Sequence, residues 1–554
     1  MDKKPFLIIS NLFTLISLAI VSFASSAVSN KSIPTPAYNY KHIVHFGLLR
    51  DSVGLETNAH AISSPQSNQY QDYLTTGQTA QKFGSSSQNI QQVVNYLESI
   101  AAKNIEIHPS KISISAEFNT AQMQQHLCVD SSKKPTQKTC TPESLAPYIK
   151  EIVLNYFLLS DPSNEEKNNI TTTAKLQSII NKPTCDEAKN LQSDNVFLPK
   201  QMMTAFGIDQ LHQQGFKGQG MRAAILLSEV IPSRADNDTY RDCFSITADY
   251  RELTETPYGL PLSNNIEAQI DIQTILSIAP EIEELTFIGT GVIVGGGDQV
   301  WLLSKATNPV NFQHGLPQVI SISQGSRESD NSADEISLAE SYAQLVAVTG
   351  STLIAASGDF GYLNQNFTPA LGAVYPASSP WTTSVGGIEA QLNNQDQITS
   401  VAVWQKTNND GSGGGPSSIF KRPNWQKGLG AFPGEQRLTP DIAYIASNSY
   451  IYFNGGHWLT NGGTSASAPF FAGAISLVNQ QLISKNKKPL GALNPLLYQL
   501  ANSYLYDDIF YSVTQGTSNI HGDLDPNIGG ACYGYNQATG LGAVKINRLI
   551  EQLN

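Results

Sequence analysis

An α/β domain on a mostly parallel sheet, preceded by a smaller α+β unit, is the fold class this sequence predicts. Three observations carry that reading. Beyond Phe197, short apolar runs at 221–227, 284–288, 317–323, 352–356 and 382–385 alternate with helix-like segments and glycine-rich turns. Such alternation is the pattern of parallel strands joined by crossover helices. Ahead of it, residues 40–49 and 111–118 alternate as strands do, while 69–74 and 89–100 repeat apolar residues at helical spacing. The 554 residues are 40% hydrophobic and 9% aromatic, enough for one large core and a smaller one.

The first residues predict an export signal. Lys3 and Lys4 precede an apolar run at 6–23, and Ala24-Ser25-Ser26-Ala27 offers a cleavage site. An uncleaved membrane anchor is the alternative for this segment. No later run reaches the length a spanning helix needs, so the expectation is a secreted or periplasmic protein without a stable membrane anchor. The parts are then a signal at 1–27, a pro-segment with its linker at 28–190 and the large domain at 191–554. With 34 basic against 46 acidic residues the net charge is −12, and no basic stripe is available to neutralise a phosphate backbone, which argues against nucleic acid. Five cysteines leave at least one without an internal partner. Cys128 and Cys140 are spaced to close a small loop in an oxidising compartment, Cys185, Cys243 and Cys532 have no assigned pairing, and no spacing resembles a zinc site. The stretch from Cys128 to Asn195 is polar and reads as an exposed connection.

The chemistry concentrates in a few strings. Gly463-Thr464-Ser465-Ala466-Ser467-Ala468-Pro469 precedes an apolar helix. A serine there lies near free backbone N–H groups and the positive end of the helix dipole, which favour both a nucleophile and a developing oxyanion. The bland alternative is an N-cap cluster. Ser467 occupies the place of the second glycine in G-x-S-x-G, which excludes a nucleophile elbow. A hydroxyl nucleophile needs a base, and His212, His314, His457 and His521 sit in no catalytic sequence context. A better candidate is Asn265-Ile266-Glu267-Ala268-Gln269-Ile270-Asp271-Ile272-Gln273, whose i, i+4 carboxylates share one helix face. A solvated acidic face is the competing reading. Asp359, in Ser357-Gly358-Asp359-Phe360-Gly361, follows a strand within a tight turn.

Together the E-x-x-x-D-x-Q helix, the S-G-D-x-G turn and G-T-S-A-S-x-P, in this order and spacing, resemble the sedolisins, or serine-carboxyl peptidases. The resemblance covers nearly the whole chain after the signal. Residues 40–130, notably Ser64-Pro65-Gln66-Ser67-Asn68-Gln69-Tyr70-Gln71-Asp72-Tyr73-Leu74, look like that family's activation domain. It implies a subtilisin-like sheet and names Ser465 as nucleophile, Glu267 as its base, Asp271 as the partner orienting Glu267 and Asp359 as the oxyanion-hole acid. Ser323 and Gly325 are implied to bind substrate backbone, although Gln324 replaces the family's tyrosine, and Gly462 stands where serine is usual. The resemblance also implies a Ca²⁺ site from Asp508, Ile509, Gly534 and Asn536, with Asn536 in place of an aspartate. Gly289-Thr290-Gly291 and Gly295-Gly296-Gly297 lack nucleotide-loop spacing and read as turns.

The function expected is therefore a secreted, acid-active serine-carboxyl peptidase made as a monomeric zymogen, with protein or peptide substrates and its own pro-domain as inhibitor. The alternatives are a subtilisin-like Ser-His-Asp protease, for which Leu227-Ser228 lacks the strand-end aspartate, and an inactive secreted binding protein of the same fold.

Overall fold

The computed structural model describes residues 40–129, 139–158, 184–193, 196–228, 231–254, 266–290, 298–361, 373–407, 410–447, 449–518 and 530–553. The proposed signal at 1–27 and the string Gly295-Gly296-Gly297 lie outside them. Among the described residues no helix is long and apolar enough to cross a membrane.

The N-terminal unit is a four-stranded antiparallel sheet covered by helices. Strand β1 (Tyr40–Leu48) pairs with β3 (Ser113–Phe118) on one side and β4 (Ile149–Leu158) on the other, and β2 (Lys103–Ile107) closes the order β2-β3-β1-β4. Helices α1 (Ser52–Ser63), α2 (Ser87–Ser99) and α3 (Thr120–Leu127) complete it. Side-chain alternation sends Val44, Phe46, Ile114 and Phe118 into a core with Val93, Leu97, Met123 and Leu127.

Two expectations fail here. The stretch read as an exposed connection contains β4, which was masked in the sequence by buried polar residues. Glu151 and Asn155 are 2% and 0% exposed. Glu151 is paid for by a bidentate ion pair with Arg50 (2.9 and 3.1 Å) and by the Ser337 hydroxyl at 2.7 Å. Residues 69–74 are not helical: a turn runs to Gln71 and residues 72–74 are irregular. They place Tyr73 as a peg against the large domain, where its hydroxyl donates to the Pro489 carbonyl (2.9 Å) and the Leu74 N–H donates to Val348 (2.8 Å). A Cβ at Gly350 would come within 2.6 Å of the Tyr73 ring.

The large domain centres on an eight-stranded sheet. Its strands are β5 (Arg222–Leu227), β6 (Tyr250–Thr254), β7 (Glu284–Gly289), β8 (Val319–Ile322), β9 (Thr352–Ala356), β10 (Thr382–Leu392), β11 (Ile398–Val403) and β12 (Ile442–Ile445). The order is β11-β10-β9-β8-β5-β7-β6, with β12 also on β10, and every pairing is parallel except β10 with β11. Continuous burial along β5, β7, β8 and β9 is what a sheet covered on both faces requires. Helices α5 (Ile266–Ile278) and α8 (Thr464–Ser484) pack against each other, while α6 (Asp298–Ala306) and α7 (Ala333–Val348) do so elsewhere. Helix α4 (Arg234–Phe244) lies against α5.

The two units share one apolar layer: Leu55, Ala59, Ile62 and Ile112 pack in a single cluster with Trp301, Tyr342, Leu345 and Val346. Cys128 pairs with Cys140 as the spacing suggested, Cys185 pairs with Cys243, and Cys532 is free.

Candidate active site

The sheet brings Asp359 and Ser465 to one cleft at the carboxyl ends of its strands, where parallel sheets gather their functional groups, and Glu267 interacts with Ser465 from α5. The cleft measures about 400 Å³ and is lined by Ser323, Gln324, Gly325, Asp359, Thr464 and Ser465 among others. Ser465 is the second residue of α8. Its hydroxyl donates to the Ser323 carbonyl at 3.3 Å.

Helix α5 supplies the two carboxylates. Every residue from Ala268 to Ile278 is buried, so the helix is central and not an acidic surface. Its position is fixed by side chains. Gln273 donates to the carbonyls of Asn237 (side chain, 3.0 Å) and Phe453 (2.8 Å) and accepts from the Phe453 N–H (2.8 Å). Asn237 donates to Gln269 at 2.9 Å. The sequence holds N-x-T glycosylation sequons at Asn169, Asn237 and Asn366; Asn237 is 0% exposed and closed off in the folded chain, and the other two asparagines lie outside the described residues.

Burial pushes Glu267 up to about 7, helped by the charge of Asp359 and opposed by an interaction with Ser465. Asp271 is fully buried and lies well above the usual carboxylate range, first through burial and then through Glu267, against the Ser323 hydroxyl that donates to it at 2.7 Å. Glu267 Oε1 and Asp271 Oδ2 are buried and have no hydrogen-bond partner among the described residues. The charge of Glu267 disfavours that of Asp271, so the two carboxyls titrate as a pair.

Asp359 sits in a turn clamped by the glycine-rich string at 410–415. The Gly411 N–H donates to the Asp359 carbonyl (2.8 Å) and Gly413 N–H to that of Gly358 (2.7 Å). Oδ1 of Asp359 accepts both the N–H and the hydroxyl of Thr464, each at 2.7 Å, so the proton of the neutral acid belongs on Oδ2. Burial raises this carboxyl above its ordinary range, against the two Thr464 hydrogen bonds. A Cβ on Gly463, whose φ is +97°, would lie 2.5 Å from Oδ2. Gly462, the departure from the family's serine, has no room either, since a Cβ there would meet the Ser447 carbonyl oxygen at 2.2 Å. Sequence reasoning missed Thr464 and the 410–415 string; the run of glycines was the visible signal.

The other predicted groups fall as follows. Ser323 and Gly325 both line the cleft, but the Ser323 side chain turns inward to Asp271 and to the Ser465 carbonyl (3.2 Å). Gln324 accepts from the Ser228 N–H at 2.7 Å. His212 contacts the Ile278 carbonyl (2.8 Å) and His314 lies 3.4 Å from Glu284. No histidine is among the described residues lining the cleft.

The residues implied to hold calcium do not fit the ion. Oδ1 of Asn536 is spent on the N–H groups of Ala538 (3.1 Å) and Thr539 (2.9 Å) and on the Thr539 hydroxyl (3.0 Å). Its amide nitrogen points at the carbonyls of Val513 and Cys532, both at 3.4 Å, a donor where a cage needs a cation. The Ile509 carbonyl accepts from the Lys545 N–H at 2.8 Å, and Asp508 lies 3.5 Å from Arg548. Gly534 turns the chain, and no group of three His, Cys, Asp or Glu side chains that could hold a metal ion occurs among the described residues. Chelation with EGTA is therefore expected to leave the thermal midpoint of the purified chain where it was; a drop on chelation that added Ca²⁺ restores contradicts this geometry.

Comparison with known proteins agrees with the site. The Pro-kumamolisin activation domain matches residues 39–153. Tripeptidyl-peptidase 1 of Dictyostelium discoideum is 30% identical over 308 residues, 52% of this chain and 47% of that protein. Kumamolisin of Bacillus sp. (strain MN-32) is 30% identical over 309 residues, 54% of this chain and 53% of that one. The chain thus spans about half the length of the curated relatives it matches. Among solved structures, Pseudomonas sedolisin, a serine-carboxyl proteinase complexed with two molecules of pseudo-iodotyrostatin, superposes with a TM-score of 0.55 at 22% identity, covering 65% of this chain and 99% of that one. With a sedolisin-like α/β fold, Ser465 and Asp359 in one cleft and a match to the Pro-kumamolisin activation domain ahead of them, this chain is similar to the sedolisins, kumamolisin and tripeptidyl-peptidase 1.

Proposed function

We propose that the chain is an exported, acid-active serine-carboxyl peptidase made as a zymogen, which cleaves peptide bonds through an acyl-enzyme on Ser465. The observation that supports this best is the convergence of Ser465 with three carboxyls that burial biases toward their neutral forms. In this reading Ser465 Oγ attacks the scissile carbonyl and its proton passes to Glu267, with Asp271 holding the proton shared by the pair. The leaving amine takes the proton from Glu267, and water then repeats the sequence to release the acid. The developing oxyanion meets the Oδ2 proton of Asp359 and the positive end of α8. Ser323 is a positioning residue, since its hydroxyl ties Asp271 to the backbone of Ser465. The N-terminal unit, packed on α7, serves as the intramolecular inhibitor. Peptides are the substrates proposed, and the acidic range the working environment.

The sign of the pH dependence follows. Asp359 donates only while protonated, so activity falls as pH rises through its raised pKa, and the acidic limb reports loss of the last charge on the Glu267–Asp271 pair. The purified full chain is expected to detach its pro-segment on acidification and to show a rate maximum below neutrality. A maximum above neutrality refutes this mechanism.

Asp359 offers a sharper test. Asp359→Ala removes one oxyanion donor and is expected to lower kcat by roughly 10²–10³. Asp359→Asn keeps an N–H donor that never ionises, so it retains more activity and loses the alkaline limb. Equal loss in both variants, with the limb unmoved, counts against the assignment.

A further inference from the structure

The cleft wall carries a carboxyl that the chemistry above does not use. Asp298 opens α6 and lines the cleft with Ser465, Asp359, Gln324 and Phe360. Its Oδ2 accepts from the Ser228 hydroxyl, and its Oδ1 accepts from the Gln299 N–H at 3.0 Å. Ser228 follows β5 directly, and its N–H is held by the Gln324 side chain from the end of β8 (2.7 Å). Two strand ends therefore brace this one carboxyl. Burial raises its pKa, against those hydrogen bonds. No Lys, Arg or His is among the described residues lining the cleft. A helix-capping role accounts for the bond to Gln299, but not for the brace of Ser228 and Gln324 or for the carboxyl's place on the cleft wall. What the cleft wall lacks is a cation, and a carboxyl partly withdrawn from water ionises more readily beside one.

We propose that Asp298 is a specificity-determining residue, which receives an ammonium or guanidinium group of the bound peptide beside Ser465. The inference rests on the peptidase reading for its substrate class. The cation can come from a lysyl or arginyl side chain or from a free amino terminus, and the experiment separates the two. Peptides are made in which one Lys or norleucine is walked through the positions flanking the cleaved bond, each with a free or acetylated amino terminus. Wild type is expected to favour Lys over norleucine at one position, or the free over the acetylated terminus, by about tenfold in kcat/KM, the worth of one charge-assisted hydrogen bond. Asp298→Asn is expected to bring that ratio to about one. A ratio unchanged by Asp298→Asn overturns the proposal, as does a wild type that ranks neither cation above its neutral counterpart. The same labelled peptides are also bound to the Ser465→Ala chain, once an added protease has cut away its pro-segment, and read by fluorescence anisotropy. Selective binding that Asp298→Asn abolishes, in a chain whose wild type hydrolyses nothing, sinks the peptidase reading and leaves the role of Asp298 standing.

Discussion

Ser465→Ala is expected to abolish pro-segment removal at about pH 4 and to lower kcat on peptides by roughly 10⁴–10⁶. The size follows from the geometry. Ser465 is the only hydroxyl that joins the first turn of α8, the Glu267 carboxyl and the Asp359 turn among the described residues lining the cleft. Thr464 cannot replace it, because its hydroxyl is committed to Asp359 and accepts from the Gly358 N–H at 3.1 Å. The loss should fall on kcat with KM little changed, since the variant keeps the cleft walls and the Ser323 and Gly325 backbone. Glu267→Gln should behave alike, as an amide cannot take the serine proton. Self-removal of the pro-segment by purified Ser465→Ala would exclude Ser465 as the nucleophile.

Acid should also loosen the contact between the two units, and here the sign can be worked from two histidines. His45 on β1 and His108 after β2 are 2% and 5% exposed. Burial, with Lys305 adding its charge, holds His45 at about 3; burial first, with Lys305 again, holds His108 at about 4. His108 Nε2 faces the Ser304 carbonyl (3.2 Å), so it carries the hydrogen, while Nδ1 accepts from Ser110. A second proton on Nδ1 would meet the Ser110 N–H that now donates to it. The groups around the pair are Glu106 of β2, Ser113 and Ser115 of β3, Asn155 of β4, Ser304 and Lys305 of α6 and Tyr342 of α7. Both histidines are neutral in the assembled chain at neutral pH and impose no penalty. Below their ordinary value near 6.5, the separated units bind protons that the assembled form refuses. Stability of the contact is therefore lost progressively as pH falls from there through the two depressed values, by several kcal/mol at about pH 4. Hydrogen exchange on the Ser465→Ala full chain should show β1 and β3 losing protection over that range. His108→Gln should move the midpoint of that opening to lower pH; a midpoint that stays put removes His108 from the account.

The elements that the sequence makes legible are those whose pattern is local. Helix α5 is readable because Glu267, Asp271 and Gln273 keep one spacing among apolar neighbours, and β5, β7, β8 and β9 because each is a short run dominated by apolar residues. Strand β4 was hidden for the opposite reason. Glu151 looks like a surface residue until Arg50 and Ser337, from two distant parts of the chain, satisfy it. The segment 69–74 repeats apolar residues as a helix does, but Tyr73 answers to a surface elsewhere, held by Pro489. Asn536 keeps the outline of a metal loop, and only its hydrogen bonds reveal an amide nitrogen where the ion belongs. Asp298 carries no motif at all, since its setting is made by two strand ends that meet only in the sheet.

The apolar layer common to both units has one more consequence. Leu55, Ala59, Ile62 and Ile112 complete a core whose other half is Trp301, Tyr342, Leu345 and Val346. Once the pro-segment is gone, that half-core faces water, and the remaining chain no longer carries the residues that covered it during folding. On the peptidase reading, the processed chain is expected to unfold slowly and not to refold, so that passage from precursor to processed form runs in one direction. Such a molecule has a lifetime, set by a rate, in place of an equilibrium to which it can return after unfolding.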